Sequence, residues 1–248
     1  MTSRPGTTVS PAAIDRIVFG GLAAVAFVTL LAFARDMTFR YDEWDFIGNR
    51  SLADPLGLMR PYNEQWVAVP AAIFRAIFAV VGMHSYLPYL VVLLGLHVLV
   101  AARVGRLVGF VSGRFGGLVA ATVVLFLGVG NENLGQAFQI GMVLATLTGF
   151  WAIDELVIRR RPFAAAVLLL IGLASHAVAA AFLAMALVLA LRQSRRALAA
   201  MLIPLGGAGA WFLVFDLPVM TARAGSFADA LPSIPVFVVN GVLGATGA

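Results

Sequence analysis

Residues 39–49, FRYDEWDFIGN, put Asp42, Glu43 and Asp45 within four positions of one another, although only twelve acidic residues serve all 248 positions. Neighbouring carboxylates can divide two tasks. One takes a proton from an acceptor hydroxyl, and the other orients that acceptor or holds a divalent cation. Asp45, three positions after Asp42, can join either acid if the segment is helical. The plain alternative is a solvated acidic loop without chemistry.

Other polar residues are candidates for binding. Arg60 and Arg75 are the nearest cations to the acids, and a guanidinium grips phosphate with two parallel N–H groups; ordinary lipid headgroup contact is the competing reading. Asn63 and Glu64 can position acceptor hydroxyls or cap the helix that follows. Glu132, between Asn131 and Asn133, opens a helix whose first turns carry Gln136 and Gln139. Its carboxylate there is either a binding group or a partner of the helix dipole. Of three histidines, His97 sits mid-helix with a structural hydrogen bond as its expected role, His84 lies at a helix start, and His176 stands at the apex of "GLASHA". No histidine pair has zinc spacing. The absence of cysteine excludes disulfides and thiolate metal sites.

The elements that must carry these residues follow from composition. Hydrophobic residues make up 61% of the chain and charged ones 12%, and mean hydropathy is +0.97. Several apolar runs approach or exceed the ~20 residues needed to cross ~30 Å of hydrocarbon. The expected class is an all-α polytopic membrane protein, a single transmembrane domain over residues 1–248, read as a portion of a longer chain because the last apolar run stops short. Spans are expected at 17–33, 84–108, 115–129, from 140 to 158 after the polar "NENLGQAFQ", and at 197–215. Residues 36–83 form the first external loop, and "DLPVMTARAGSFADALPS" is a further external segment. All seventeen basic residues are arginine and the net charge is +5. They cluster in short gaps between apolar runs, which marks topology and argues against nucleic acid as a partner.

Arginine placement also decides two ambiguous segments. If residues 66–82 lie along the outer interface, then Arg103, Arg106, Arg114, Arg159–161, Arg192, Arg195 and Arg196 all fall on the cytoplasmic side; if that segment spans, all invert. The interfacial reading is expected. Residues 163–191 keep both flanking arginine clusters on one side only as a hairpin. Its arms of ~13–15 residues reach ~20 Å, so Ser175 and His176 should sit at membrane depth facing a cavity.

"RYDEWDF" resembles the first external loop of the GT-C superfamily of polyprenyl-phosphate-dependent glycosyltransferases. Protein O-mannosyltransferases carry a comparable aromatic–Asp–Glu pattern there, with the Asp as catalytic base. "RPYNEQWVAVPAAIF" resembles the "NEH-R" stretch of bacterial members, with Gln65 and Trp66 where that pattern has His and Arg. "NENLGQAFQIGMVLA" resembles their second external loop, and the likeness covers about residues 35 to 190. It implies a GT-C-like helix bundle in the cell membrane, with the active site on the extracytoplasmic face. A polyprenyl-phosphate-linked sugar would be donor, and a glycan, lipid or protein the acceptor. Transfer would be inverting, with Asp42 as base and a divalent cation as the one candidate cofactor. The resemblance alone selects Asp42 over Glu43. A transporter or flippase, or a non-catalytic assembly subunit, are the alternatives; a transporter should carry acids within its spans.

Overall fold

The computed structural model describes residues 11–126 and 134–224, together with 231, 232 and 235. Every regular element among them is helical. Helix α1 (Pro11–Ala34) has 24 residues with no charge between Arg16 and Arg35, and reaches about 36 Å. The acidic loop follows, with α2 (Glu43–Gly48), α3 (Pro55–Leu58) and α4 (Ala68–Val81). At 14 residues, α4 is about 21 Å long, short of the ~30 Å a crossing requires. Gly82 ends it with φ 57°, which glycine adopts at little cost.

Helix α5 (Leu87–Leu125) is bent back on itself at Gly113, where φ 82° and ψ 173° suit only glycine. Its arms touch backbone to backbone: a Cβ on Gly117 would lie 2.4 Å from the Gly105 carbonyl oxygen and 2.9 Å from Gly109 Cα. Small residues permit this approach, which membrane helices use in place of a hydrophobic driving force. His97 Nε2 sits 3.5 Å from the Leu125 carbonyl oxygen across the same hairpin. A 3₁₀ turn, Ala137–Gln139, leads into α6 (Ile140–Val157).

Residues 163–191 fold as a second hairpin, α7 (Pro162–Leu173) and α8 (Ala179–Gln193). Gly172, at the end of α7, packs on Thr148 and Ala145 in the first half of α6. In α8, Phe182 meets Phe150 at 5.0 Å between ring centroids, and Gln193 Nε2 donates to the Leu156 carbonyl at 3.1 Å. The two arms therefore run antiparallel and parallel to α6. With 12 and 15 residues they reach about 18 and 23 Å. Alanines at 152, 165, 166, 186 and 190 form the seam.

The final stretch is α9 (Arg195–Ala200), α10 (Leu202–Trp211), a π turn at Phe212–Asp216 and α11 (Leu217–Ala224). The expectation that the last span ends at residue 215 is corrected here; residues 225–230 of the segment expected to follow it lie outside the described residues. The chain stays helical to Ala224, and Asp216 is buried. Pro218 explains the wide turn, because its ring would clash with the carbonyl of Val214 in a regular helix.

Among the described residues, four helical stretches are long and apolar enough to cross a membrane: Ala13–Ala34, Leu87–Leu125, Ala137–Val157 and Arg195–Ala222. The protein is an all-α membrane protein with two chemically distinct ends. At one end Asp154, fully buried, accepts from Arg106 Nε at 2.7 Å and Arg103 Nη1 at 3.3 Å and lies 3.4 Å from Arg159 Nε, while Arg114 Nε pairs with Asp15 at 2.6 Å. The Arg160–Arg161 and Arg196 ends of the second hairpin converge there as well. The acidic loop occupies the other end. Beneath it lies the aromatic part of the core, where Phe39 packs edge-on against Tyr86 and Tyr89, and Phe46 against Phe74.

Candidate functional site

The three acids of the loop have three different sets of partners. Glu43 faces inward and is almost wholly buried. One carboxylate oxygen accepts from Tyr86 Oη at 2.5 Å and the Phe138 N–H at 2.9 Å; the other accepts from the Arg40 N–H at 2.9 Å. Tyr86 Oη in turn accepts from the Ala137 N–H at 2.7 Å. Loop, α5 and the entry to α6 are thus joined at one carboxylate. Burial pushes the Glu43 carboxyl above the ordinary glutamate value, against the pull of these hydrogen bonds. Burial and the adjacent Glu43 push the Tyr86 hydroxyl upward.

Asp45 is held by Arg50 Nε at 3.0 Å and by Asn49 Nδ2 at 3.0 Å. Arg50 is itself buried and donates to the carbonyls of Leu58 at 3.2 Å and Arg60 at 2.8 Å. It closes residues 50–61 into a compact loop, with the Asp54 side chain capping α3 through the Gly57 N–H at 2.9 Å. Asp42 is half-buried, and only its Oδ1 is engaged, by the Tyr62 hydroxyl. Its second oxygen has no hydrogen-bond partner among the described residues. Burial, then the Asp42 carboxylate, hold the Tyr62 hydroxyl far above its usual range.

Tyr62 and Gln65 close a tight hairpin through paired backbone bonds of 3.0 Å. Asn63 (φ 46°) and Glu64 (φ 61°) form its tip, both left-handed as a type I′ turn requires. Glycine is absent from both positions. That strain, repeated at Tyr41 (φ 39°) beside Asp42, is typical of sites where surrounding structure fixes the backbone for a purpose. The turn forms one wall of a cleft of about 40 Å³ lined by Tyr62, Asn63, Gln65, Phe138, Ser175 and His176. The floor is the turn of the second hairpin: Val69 N–H donates to the Ala174 carbonyl at 3.0 Å, and Ala177 N–H to Gln65 Oε1 at 3.4 Å. Gly141 permits this convergence, since a Cβ there would lie 2.8 Å from the Ser175 carbonyl oxygen and 3.2 Å from Pro70.

The structure gathers Asn63 and His176 from the expected set at the cleft, with Asp42 one hydrogen bond away through Tyr62 and Glu64 exposed on the same turn. It separates others. Glu43 is enclosed by the protein's own donors, and Asp45 is neutralised by Arg50. Arg75 donates to the Ile47 carbonyl at the end of α2 and lies 4.7 Å over the Phe78 ring, so it clamps the loop as a cation at a helix C-terminus. Gln139 sits in the 3₁₀ turn outside the cleft, where Phe138 forms the wall instead. Arg60 is exposed, with no side-chain partner among the described residues. Glu132 lies outside the described residues. No three acidic or histidine side chains among those described gather closely enough for a metal ion. Asp42, Glu43 and Asp45, each turned to a different partner, do not form a cation cage.

Four residues essential to this arrangement were not singled out in the sequence: Tyr62, Tyr86, Arg50 and Trp211. Trp211 stacks on Trp66 at 5.5 Å and 8° and donates to the Met59 carbonyl at 2.7 Å, fastening the last long helix to the loop. Comparison with protein-family models, curated proteins and solved structures gives no match.

Proposed function

We propose that this protein is a GT-C-like membrane glycosyltransferase that moves a sugar from a polyprenyl-phosphate donor to an acceptor at the extracytoplasmic face of the cell membrane. The observation that carries the reading is the asymmetry of the loop acids. Glu43 and Asp45 are consumed by internal partners, while Asp42 has one oxygen oriented by Tyr62, a residue of the cleft wall, and its other oxygen takes no hydrogen bond from the described residues. A carboxylate fixed by one hydrogen bond and open at its second oxygen has what a general base needs. Asp42 would take the proton of an acceptor hydroxyl, and that oxygen would attack the anomeric carbon. The carbon–oxygen bond to phosphate would break on the opposite side, inverting the centre and releasing polyprenyl phosphate with the bonding electrons. Arg60, exposed and uncommitted, would stabilise the departing phosphate. Gathering of arginines at the opposite end supports a cytoplasmic location for that end. In a transfer assay with full-length protein in membranes, Asp42→Asn should lower turnover by ~10² to 10⁴-fold with donor binding kept. Near-normal turnover refutes Asp42 as base.

One observation favours a second reading, a proton-coupled transporter: Asp216 is a buried carboxylate inside an apolar helix long enough to cross a membrane. Substrate-driven proton uptake by reconstituted protein that is lost in Asp216→Asn, without any sugar transfer, would select it.

A further inference from the structure

We infer that the arginine-rich end carries a binding site for the phosphate headgroup of an anionic membrane lipid, formed where the two ends of the second hairpin meet. Arginines at this end differ in whether an acid pairs with them. Arg103, Arg106 and Arg159 are paired with Asp154 and Glu155, and Arg114 with Asp15. Arg160, Arg161 and Arg196 have no ion pair among the described residues, and all three line a single cavity of about 420 Å³. That volume suits a lipid headgroup. Repulsion among three uncompensated guanidiniums is unfavourable unless an anion joins them.

The local backbone supports the same site. Arg160 is held at φ 56°, a left-handed conformation that costs a non-glycine residue of order 1 kcal/mol and turns the chain sharply into α7. Phe163 and Ala164, in the first turn of α7, line the cavity beside these arginines. Arg196 lies 5.4 Å over the Phe163 ring, which fixes the guanidinium at the rim.

Apolar surface decides for a lipid over a free phosphate. Below the cavity, Phe163, Val167 and Ile171 recur at four-residue spacing along α7 and are 48, 50 and 37% exposed. Residues so spaced share one helix face. A headgroup held by the arginines would thus lay an acyl chain along that stripe. This inference does not rest on the catalytic reading.

Native mass spectrometry of the purified full chain, titrated with phosphatidylglycerol or with phosphatidylcholine, tests it. The double variant Arg160→Gln with Arg161→Gln should bind phosphatidylglycerol about 30-fold more weakly. The double variant Arg192→Gln with Arg195→Gln removes equal charge from the same end outside the cavity and should bind as the parent does. Arg196→Gln alone should lose about fivefold, which keeps the test decisive if the double variant is unstable. Equal loss in both double variants, or loss in neither, overturns the site, as does phosphatidylcholine binding as tightly as phosphatidylglycerol. Millimolar inorganic phosphate should fail to displace phosphatidylglycerol; displacement overturns the lipid assignment in favour of a soluble phosphate.

Discussion

Removing the Glu43 carboxylate should loosen the whole acidic end. Glu43→Ala strips an acceptor from the Tyr86 hydroxyl and from the Phe138 and Arg40 N–H groups. The Arg40 N–H lies in an exposed residue and its bond is only part-buried, so water can replace that partner, which leaves two enclosed donors without partners. At ~1–3 kcal/mol for each unsatisfied group, the loss is about 2–6 kcal/mol, a large share of the 5–15 kcal/mol typical of a folded domain. Glu43→Gln keeps one oxygen for Tyr86 and Phe138 but turns an amide toward the Arg40 N–H, so about 1–2 kcal/mol is expected. Tyr86→Phe removes the donor to Glu43 and the acceptor for Ala137, and combining it with Glu43→Gln should reveal a coupling of at least about 1 kcal/mol. Acidity adds a second signature. Burial raises the folded carboxyl above the ordinary 4.5, so the folded state keeps a proton that the unfolded chain has released. The resulting stability is fully present below 4.5 and is lost as pH rises through the folded value. The parent should therefore weaken across that window while Glu43→Gln does not. Unfolding in mixed micelles can be followed by the fluorescence of Trp44, which is half-exposed next to Glu43. A Glu43→Ala loss under about 1 kcal/mol, or strict additivity in the double variant, would refute the reasoning.

Three further outcomes follow from the architecture. Asp154→Ala leaves Arg103, Arg106 and Arg159 facing one another; because these arginines are partly exposed, about 2 kcal/mol of destabilisation is expected rather than the ~3–5 kcal/mol of a fully buried pair, and an unchanged unfolding midpoint would contradict it. Gly117→Ala puts a methyl group 2.4 Å from the Gly105 carbonyl oxygen, so thermal stability should fall by about 1–3 kcal/mol through overpacking, whereas Gly20→Ala, with nothing within 4 Å, should not lower it. The chain lacks cysteine, so a membrane-impermeant maleimide applied to intact cells should label Asn63→Cys and spare Arg160→Cys; the reverse pattern would invert the topology.

What could be read from the sequence was governed by length and charge. The turn at Gly113, the short arms of residues 163–191 and the gathering of arginines at one end follow from counting apolar residues against hydrocarbon thickness and from the cost of a stranded guanidinium. The end of the last long helix was misjudged because a charge was taken as a boundary; a π turn ahead of Pro218 carries Asp216 inside instead.

Roles within "YDEWD" were not legible for a different reason. Asp42, Glu43 and Asp45 are near-equivalent in sequence, and what separates them is partners 20, 43 and 5 positions away: Tyr62, Tyr86 and Arg50. Two local signals pointed at those partners. The pair Asn63–Glu64 between Tyr62 and Gln65 marks a tight turn, which sends the Tyr62 hydroxyl back toward Asp42. Arg75, a lone cation in an apolar helix, has to find a carbonyl, and the end of α2 supplies one at Ile47. Read together, a turn and a clamp bracketing an acidic helix imply that most of its carboxylates are spoken for. The chemically available one is then found by elimination, and elimination requires the tertiary contacts that leave Asp42 with a free oxygen.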